Sequence, residues 1–121
     1  MLAAANGNQE KVGALIAAGA AVDHVDEEGW TALMFACQDG HEQCARELLK
    51  AKAEPNKANN AGVTALMLSA SNGHDLCAQA LLENGAAVDA VENKQRTALM
   101  FAAQNGHDLC ARNMIKAGAN V

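Results

Sequence analysis

Thr64-Ala65-Leu66-Met67-Leu68-Ser69-Ala70-Ser71-Asn72-Gly73-His74 decides how the chain folds, because its two ends recur elsewhere in register. Thr-Ala-Leu-Met stands at 31–34, 64–67 and 97–100, a step of 33 residues each time. Seven residues after each Met a Gly-His pair closes, as Gly40-His41, Gly73-His74 and Gly106-His107. Cys-Ala begins three residues past each His. A chain of 121 residues that repeats itself at this period is an array of short units. Each unit is too small to bury its own apolar face and must lean on its neighbours.

The unit 26–58 shows what is repeated. Asp26-Glu27-Glu28-Gly29-Trp30 is polar and turn-like, with Gly29 free to take a positive φ. Thr31 is the expected N-cap of a helix over 32–38 that buries Leu33, Ala36 and Cys37. Asp39-Gly40 stops it. A second helix is expected from His41 or Glu42 to about Ala51. Cys44, Ala45, Leu48 and Leu49 form its apolar face, and Glu42, Gln43, Arg46, Glu47 and Lys50 cover the other side. The same face returns as Cys77, Ala78, Leu81 and Leu82, then as Cys110, Ala111, Met114 and Ile115. In the first unit it reads Lys11, Val12, Leu15 and Ile16.

Composition narrows the function. The net charge is −5 and the 9 Lys and Arg are scattered, which argues against nucleic acid, since phosphate binding needs clustered positive charge. No apolar run approaches the ~20 residues of a membrane span, so no membrane insertion is expected. Residues 1–9 carry no charged leader, so no signal peptide is expected. Half the residues are hydrophobic, yet the only aromatics are Trp30, Phe35 and Phe101. Ala, Leu, Met and Cys suit closely spaced thin helices better than a sheet core. Cys37, Cys44, Cys77 and Cys110 are the four cysteines. Equivalent ones in neighbouring units lie roughly 8–10 Å apart, beyond the ~7 Å reach of a disulfide. Free thiols point to a reducing compartment, the cytoplasm or nucleus.

Gly62-Val63-Thr64-Ala65-Leu66-Met67, Ser69-Ala70, Gly73-His74, Leu81-Leu82 and Gly85-Ala86-Ala87-Val88-Asp89 together resemble the ankyrin repeat. The resemblance covers the whole chain as one domain, 1–121, with units 1–25, 26–58, 59–91 and 92–121. It implies an all-α solenoid of about four stacked helix–turn–helix units joined by β-hairpin-like loops. Unit one is partial and resembles a cap, with Lys11 at the later cysteine position and Asn8 at the histidine position. Unit four stops incomplete, so either another unit follows or the end stays partly open.

The departures from the family pattern carry information. Ala32, Ala65 and Ala98 replace its proline, and Met34, Met67 and Met100 replace its histidine. Methionine is expected to make no polar contact near the Thr cap. Lys52 replaces a glycine that in the family ends the helix in a left-handed conformation, at ~1 kcal/mol, and Gln95 replaces the turn glycine of unit four. The junction of units two and three and the turn at Gln95 are therefore the expected soft spots.

Three constellations invite a chemical reading. His41/Cys44, His74/Cys77 and His107/Cys110 each place two metal-ligand types on one helical face. Zinc needs four ligands at about 2.0–2.3 Å, and successive pairs lie a full unit apart. The resemblance makes the histidines turn residues and the cysteines core residues, so no metal is expected. The methionine row is either inter-unit packing or an adaptable binding strip. Trp30 is either a partner contact or a ring folded over its own loop or an adjoining unit.

The resemblance places partner binding on loop tips and the exposed ends of the first helices. Those residues are Glu27, Glu28, Trp30, Gln38 and Asp39 in unit two, Asn60, Ala61, Val63, Ser71 and Asn72 in unit three, and Asn93, Lys94, Arg96, Gln104 and Asn105 in unit four. Charge runs from acidic at Glu27-Glu28 to basic at Lys94 and Arg96, which would set partner register. No catalytic constellation is present, no phosphate-cradling glycine loop follows a strand, and the carboxylates sit where nothing is expected to bury them. The expected function is a non-catalytic protein–protein interaction module that needs no cofactor. The alternatives are a structural spacer within a larger protein, or a regulatory segment tethered to an enzyme domain.

Overall fold

The computed structural model of the protein describes residues 22–118. They hold six helices in three antiparallel-style pairs: α1 (Ala32–Asp39) with α2 (Glu42–Lys50), α3 (Ala65–Asn72) with α4 (Asp75–Glu83), and α5 (Ala98–Gln104) with α6 (Asp108–Lys116). Among the described residues there is no strand, only an isolated antiparallel bridge between Ala58 and Thr64. The expectations for Asn8, Lys11, Val12, Leu15 and Ile16, and for the end at 119–121, fall outside the described residues.

Local chemistry starts and stops each helix. Thr31, Thr64 and Thr97 have extended backbones, and their hydroxyls accept from the N–H of Met34, Met67 and Met100 at 3.2, 3.4 and 3.3 Å. Gly40 and Gly73 end α1 and α3 in the left-handed conformation, at φ 75° and 72°. The second helices open on Glu42, Asp75 and Asp108, whose negative charge suits a helix N-terminus. One expectation fails here. The N–H of Thr64 contacts Sδ of Met67 at 3.5 Å, closing a reciprocal cap. A thioether is a weak acceptor, but its flexible stem lets it fold back to an otherwise orphaned N–H.

Stacking is between like helices: α1 on α3 on α5, and α2 on α4 on α6. Ala36, Ala70 and Ala102 are sealed, and such small side chains allow the first helices to approach closely. Leu33, Met34, Leu66, Met67, Leu81 and Met114 fill the space between layers. All four cysteines are free and buried in this core. The Cys37 thiol is pushed well above its ordinary value by its hydrogen bond with Cys77 and by burial. Cys110 is pushed up to about 12 by burial and by donating to Asp75 Oδ1 at 2.7 Å. Both therefore stay protonated and behave as small core residues at neutral pH.

Lys52 and Gln95 adopt the left-handed backbone that the sequence demands of them, at φ 72° and 62°. Their counterparts Gly85 and Gly62 do so at φ 88° and 81° without a side chain to accommodate. The last unit departs from the expected packing. Met100 is 51% exposed and Ile115 49%, whereas Met34 and Met67 are 1% exposed and Leu49 5%. Among the described residues no unit lies beyond α5 and α6, and none of them covers those two side chains as the next unit covers Met34, Met67 and Leu49.

Candidate protein-interaction groove

Each loop is shaped by the side chain at its first position. The Asp26 carboxylate accepts from the N–H groups of Glu28 and Trp30, both at 2.9 Å. Asn59 Oδ1 does the same for Ala61 and Val63 at 2.9 and 3.0 Å, and Glu92 Oε1 for Lys94 and Arg96 at 2.8 and 2.9 Å. Asp26 and Asn59 make Asx turns, in which a side-chain acceptor replaces a backbone one, and Glu92 makes the same two bonds from a side chain one methylene longer. Glu92 corrects the expectation that no carboxylate is buried. It is 4% exposed, and its second oxygen accepts from Arg96 Nη2 at 3.1 Å. That bond, with the two backbone N–H groups, holds the Glu92 carboxyl below the ordinary glutamate range despite desolvation.

Neighbouring loops are stitched together by asparagine. Asn60 N–H donates to the Glu28 carbonyl at 3.0 Å and its side-chain amide to the Glu27 carbonyl at 3.1 Å. Asn93 repeats this one unit on, to Ala61 at 3.0 Å and Asn60 at 3.4 Å. The first helices are stitched at their ends. Gln38 carbonyl accepts from the Asn72 amide at 3.3 Å and from His74 Nε2 at 3.0 Å. Ser71 carbonyl accepts from Asn105 at 2.9 Å and His107 Nε2 at 3.0 Å. A carbonyl can only accept, so both imidazoles carry their proton on Nε2. His74 and His107 are thus inter-unit braces. Among the described residues no group of three or more His, Cys, Asp or Glu is placed to hold a metal ion.

The fifteen residues expected at a partner surface therefore divide by occupation. Asn60, Asn72, Asn93 and Asn105 spend their amides on stitching. The carboxylates of Glu27, Glu28 and Asp39, the Lys94 ammonium and the Gln104 amide make no hydrogen bond to the described residues, and all five side chains are exposed. Trp30 and Arg96, in the same place two units apart, are half-buried. Ala61 is exposed, while Val63, Ser71 and Gln38 are half-buried alongside.

The groove between loops and first helices has a second row that the sequence reading missed. Phe35, Leu68 and Phe101 lie five residues after Trp30, Val63 and Arg96. Trp30 rests on Phe35, ring centroids 4.9 Å apart and planes tilted by 34°. The Arg96 guanidinium lies over Phe101, 4.7 Å from its centroid. The 33-residue step was the available signal, because it puts Phe35, Leu68 and Phe101 in register directly after the constant Ala-Leu-Met. Arg96 is already paired with Glu92, so the basic end of the groove presents Lys94 as its exposed ammonium. At the other end a cavity of about 540 Å³ is lined by Asp26, Glu27, Glu28, Trp30, Phe35 and Gln38.

Residues 1–91 and 51–121 match the family model of ankyrin repeats in three copies, so the matches together span the chain. No curated protein matches it. No helix among the described residues is long and apolar enough to cross a membrane.

Proposed function

The chain belongs to the ankyrin-repeat family, whose repeats generally serve as protein–protein interaction modules, and from that premise we propose that it binds a protein partner along the groove without catalysing a reaction. The observation that supports this most is the split between repeating and non-repeating residues. Residues that recur in register build the scaffold: the Thr caps and glycines start and stop helices, and the histidines and asparagine amides brace one unit on the next. Glu27, Glu28, Trp30, Lys94 and the Phe35 position differ from unit to unit and face outward or line the groove. A rigid scaffold presents such side chains at little ordering cost. The buried Cys37 and Cys110 thiols lie far from the chemistry of a nucleophile, since their values rise rather than fall.

Affinity capture from cell extract tests this, with wild type beside a Trp30→Ala/Lys94→Glu variant. Partner recovery that drops at least ~10-fold in the variant, with helical content unchanged, supports the groove. Equal recovery by both proteins counts against it. The exposed Met100 and Ile115 favour a second reading, in which the open end rests on a neighbouring domain of a larger protein. Capture that is lost in Met100→Gln/Ile115→Gln and kept in the groove variant would select that reading.

A further inference from the structure

The two ends of the groove solve the same steric problem with different chemistry. In unit four a guanidinium lies over the helix phenylalanine, and the carboxylate at the head of the loop pairs with it: Phe101, Arg96 and Glu92. In unit two the phenylalanine and the loop-head carboxylate are both present as Phe35 and Asp26, but the position of the arginine is taken by Trp30. Asp26 spends its carboxylate on two backbone N–H groups. Beside it, Glu27 and Glu28 line the cavity with carboxylates that bond to none of the described residues. Two aromatic rings and two carboxylates without a counter-ion thus share one cavity, and the chain supplies no cation to it from the described residues.

We infer that this cavity takes an arginine side chain from the partner polypeptide, its guanidinium laid against the Trp30–Phe35 pair and bonded to Glu27 and Glu28. The inference rests on the groove reading above and names the partner's chemistry. A guanidinium is flat, so it stacks on a ring while its edge N–H groups reach carboxylates in the ring's neighbourhood. The unit-four cluster holds a guanidinium, a ring and a carboxylate together in the same loop-and-helix frame, there with the arginine in the place that Trp30 fills in unit two. An anionic ligand such as a nucleic-acid backbone or a phosphopeptide would meet Glu27 and Glu28 with like charge.

Trp30 is the only tryptophan, so its emission reports the cavity directly. The probe is a short end-capped peptide with one arginine, titrated into the intact chain at low salt, beside the same peptide with citrulline, which keeps the shape and loses the charge. A saturable change in Trp30 emission is expected below ~10 mM arginine peptide, with citrulline at least ~5-fold weaker. Glu27→Gln/Glu28→Gln is expected to weaken the arginine peptide by a similar factor. These side chains bond to none of the described residues, and circular dichroism checks that the double variant keeps its helices. Absence of a saturable response, an equal response to citrulline, or unchanged binding in the double variant would overturn the assignment. If partner capture depends on Trp30 and Lys94 while the peptide gives no response, only the arginine chemistry fails. If capture is indifferent to both residues, the groove reading fails.

Discussion

Met67 and Met100 end the same four-residue word and each donates its backbone N–H to a threonine cap, yet one is sealed and the other is half open. Each helix starts on the same Thr-Ala-Leu-Met cap. What differs is the neighbour: α3 is covered by α5, and α5 by nothing among the described residues. The same contrast runs through the glycines. A Cβ at Gly73 would meet the His107 ring at 2.6 Å, while one at Gly106 would meet no atom within 4 Å. Interior units are therefore specified twice, by local chemistry and by the next layer, and unit four only once. The lesson is that the energetic weight of a residue in such an array depends on its rank in the stack as much as on its identity.

The contrast breaks most sharply at the methionines. Met67→Ala is expected to cost about 3 kcal/mol, because truncation leaves a cavity between sealed layers. Met100→Ala is expected to cost about 0.5 kcal/mol or less. Urea unfolding of both variants measures the gap, and similar losses would mean that the end of the stack is covered in solution. Glycine substitutions give the next largest difference. Both Gly73→Ala and Gly106→Ala force alanine into a left-handed backbone, at about 1 kcal/mol. Gly73→Ala must also displace the His107 ring, which adds roughly 1–3 kcal/mol. Equal thermal shifts in the two variants would remove the brace from the account.

The smallest effect sharpens the comparison between loops. Unit three shapes its loop with neutral Asn59 and unit four with the Glu92 carboxylate. Arg96, the chief cause, holds the folded-state value of Glu92 below its unfolded one. The stabilisation is thus complete above the ordinary glutamate range and is lost as pH falls from there through the lowered folded value. Glu92→Asn, which copies unit three, is expected to remove that part of the acid-side loss while leaving stability above it lower. Urea midpoints measured across the acid range would show it, and parallel pH curves for variant and wild type would contradict it.

Much of this was legible in the chain. Thr31, Thr64 and Thr97 announce helix starts, Gly40 and Gly73 announce stops, and the apolar spacing after each Gly-His pair marks the second helix. Lys52 and Gln95 could be read as strained because their place in the repeat is a glycine's place. The candidate site was legible at its tips and not along its floor. Glu27, Glu28, Trp30, Lys94 and Arg96 stood out by not repeating. Phe35 and Phe101 were hidden because a large apolar residue in an amphipathic helix reads as core. Glu92 was hidden because nothing local to a glutamate in a polar loop signals burial.

The sequence by itself determined the elements, their order and their period, since caps, turns and helical faces are decided by residues a few positions apart. Only the tertiary structure decided which copy of each word is buried, which asparagine amides are consumed, and that Trp30 leans on Phe35 where Arg96 leans on Phe101. Those outcomes depend on contacts between layers, and a repeat spells the same letters whether or not a neighbour stands above it.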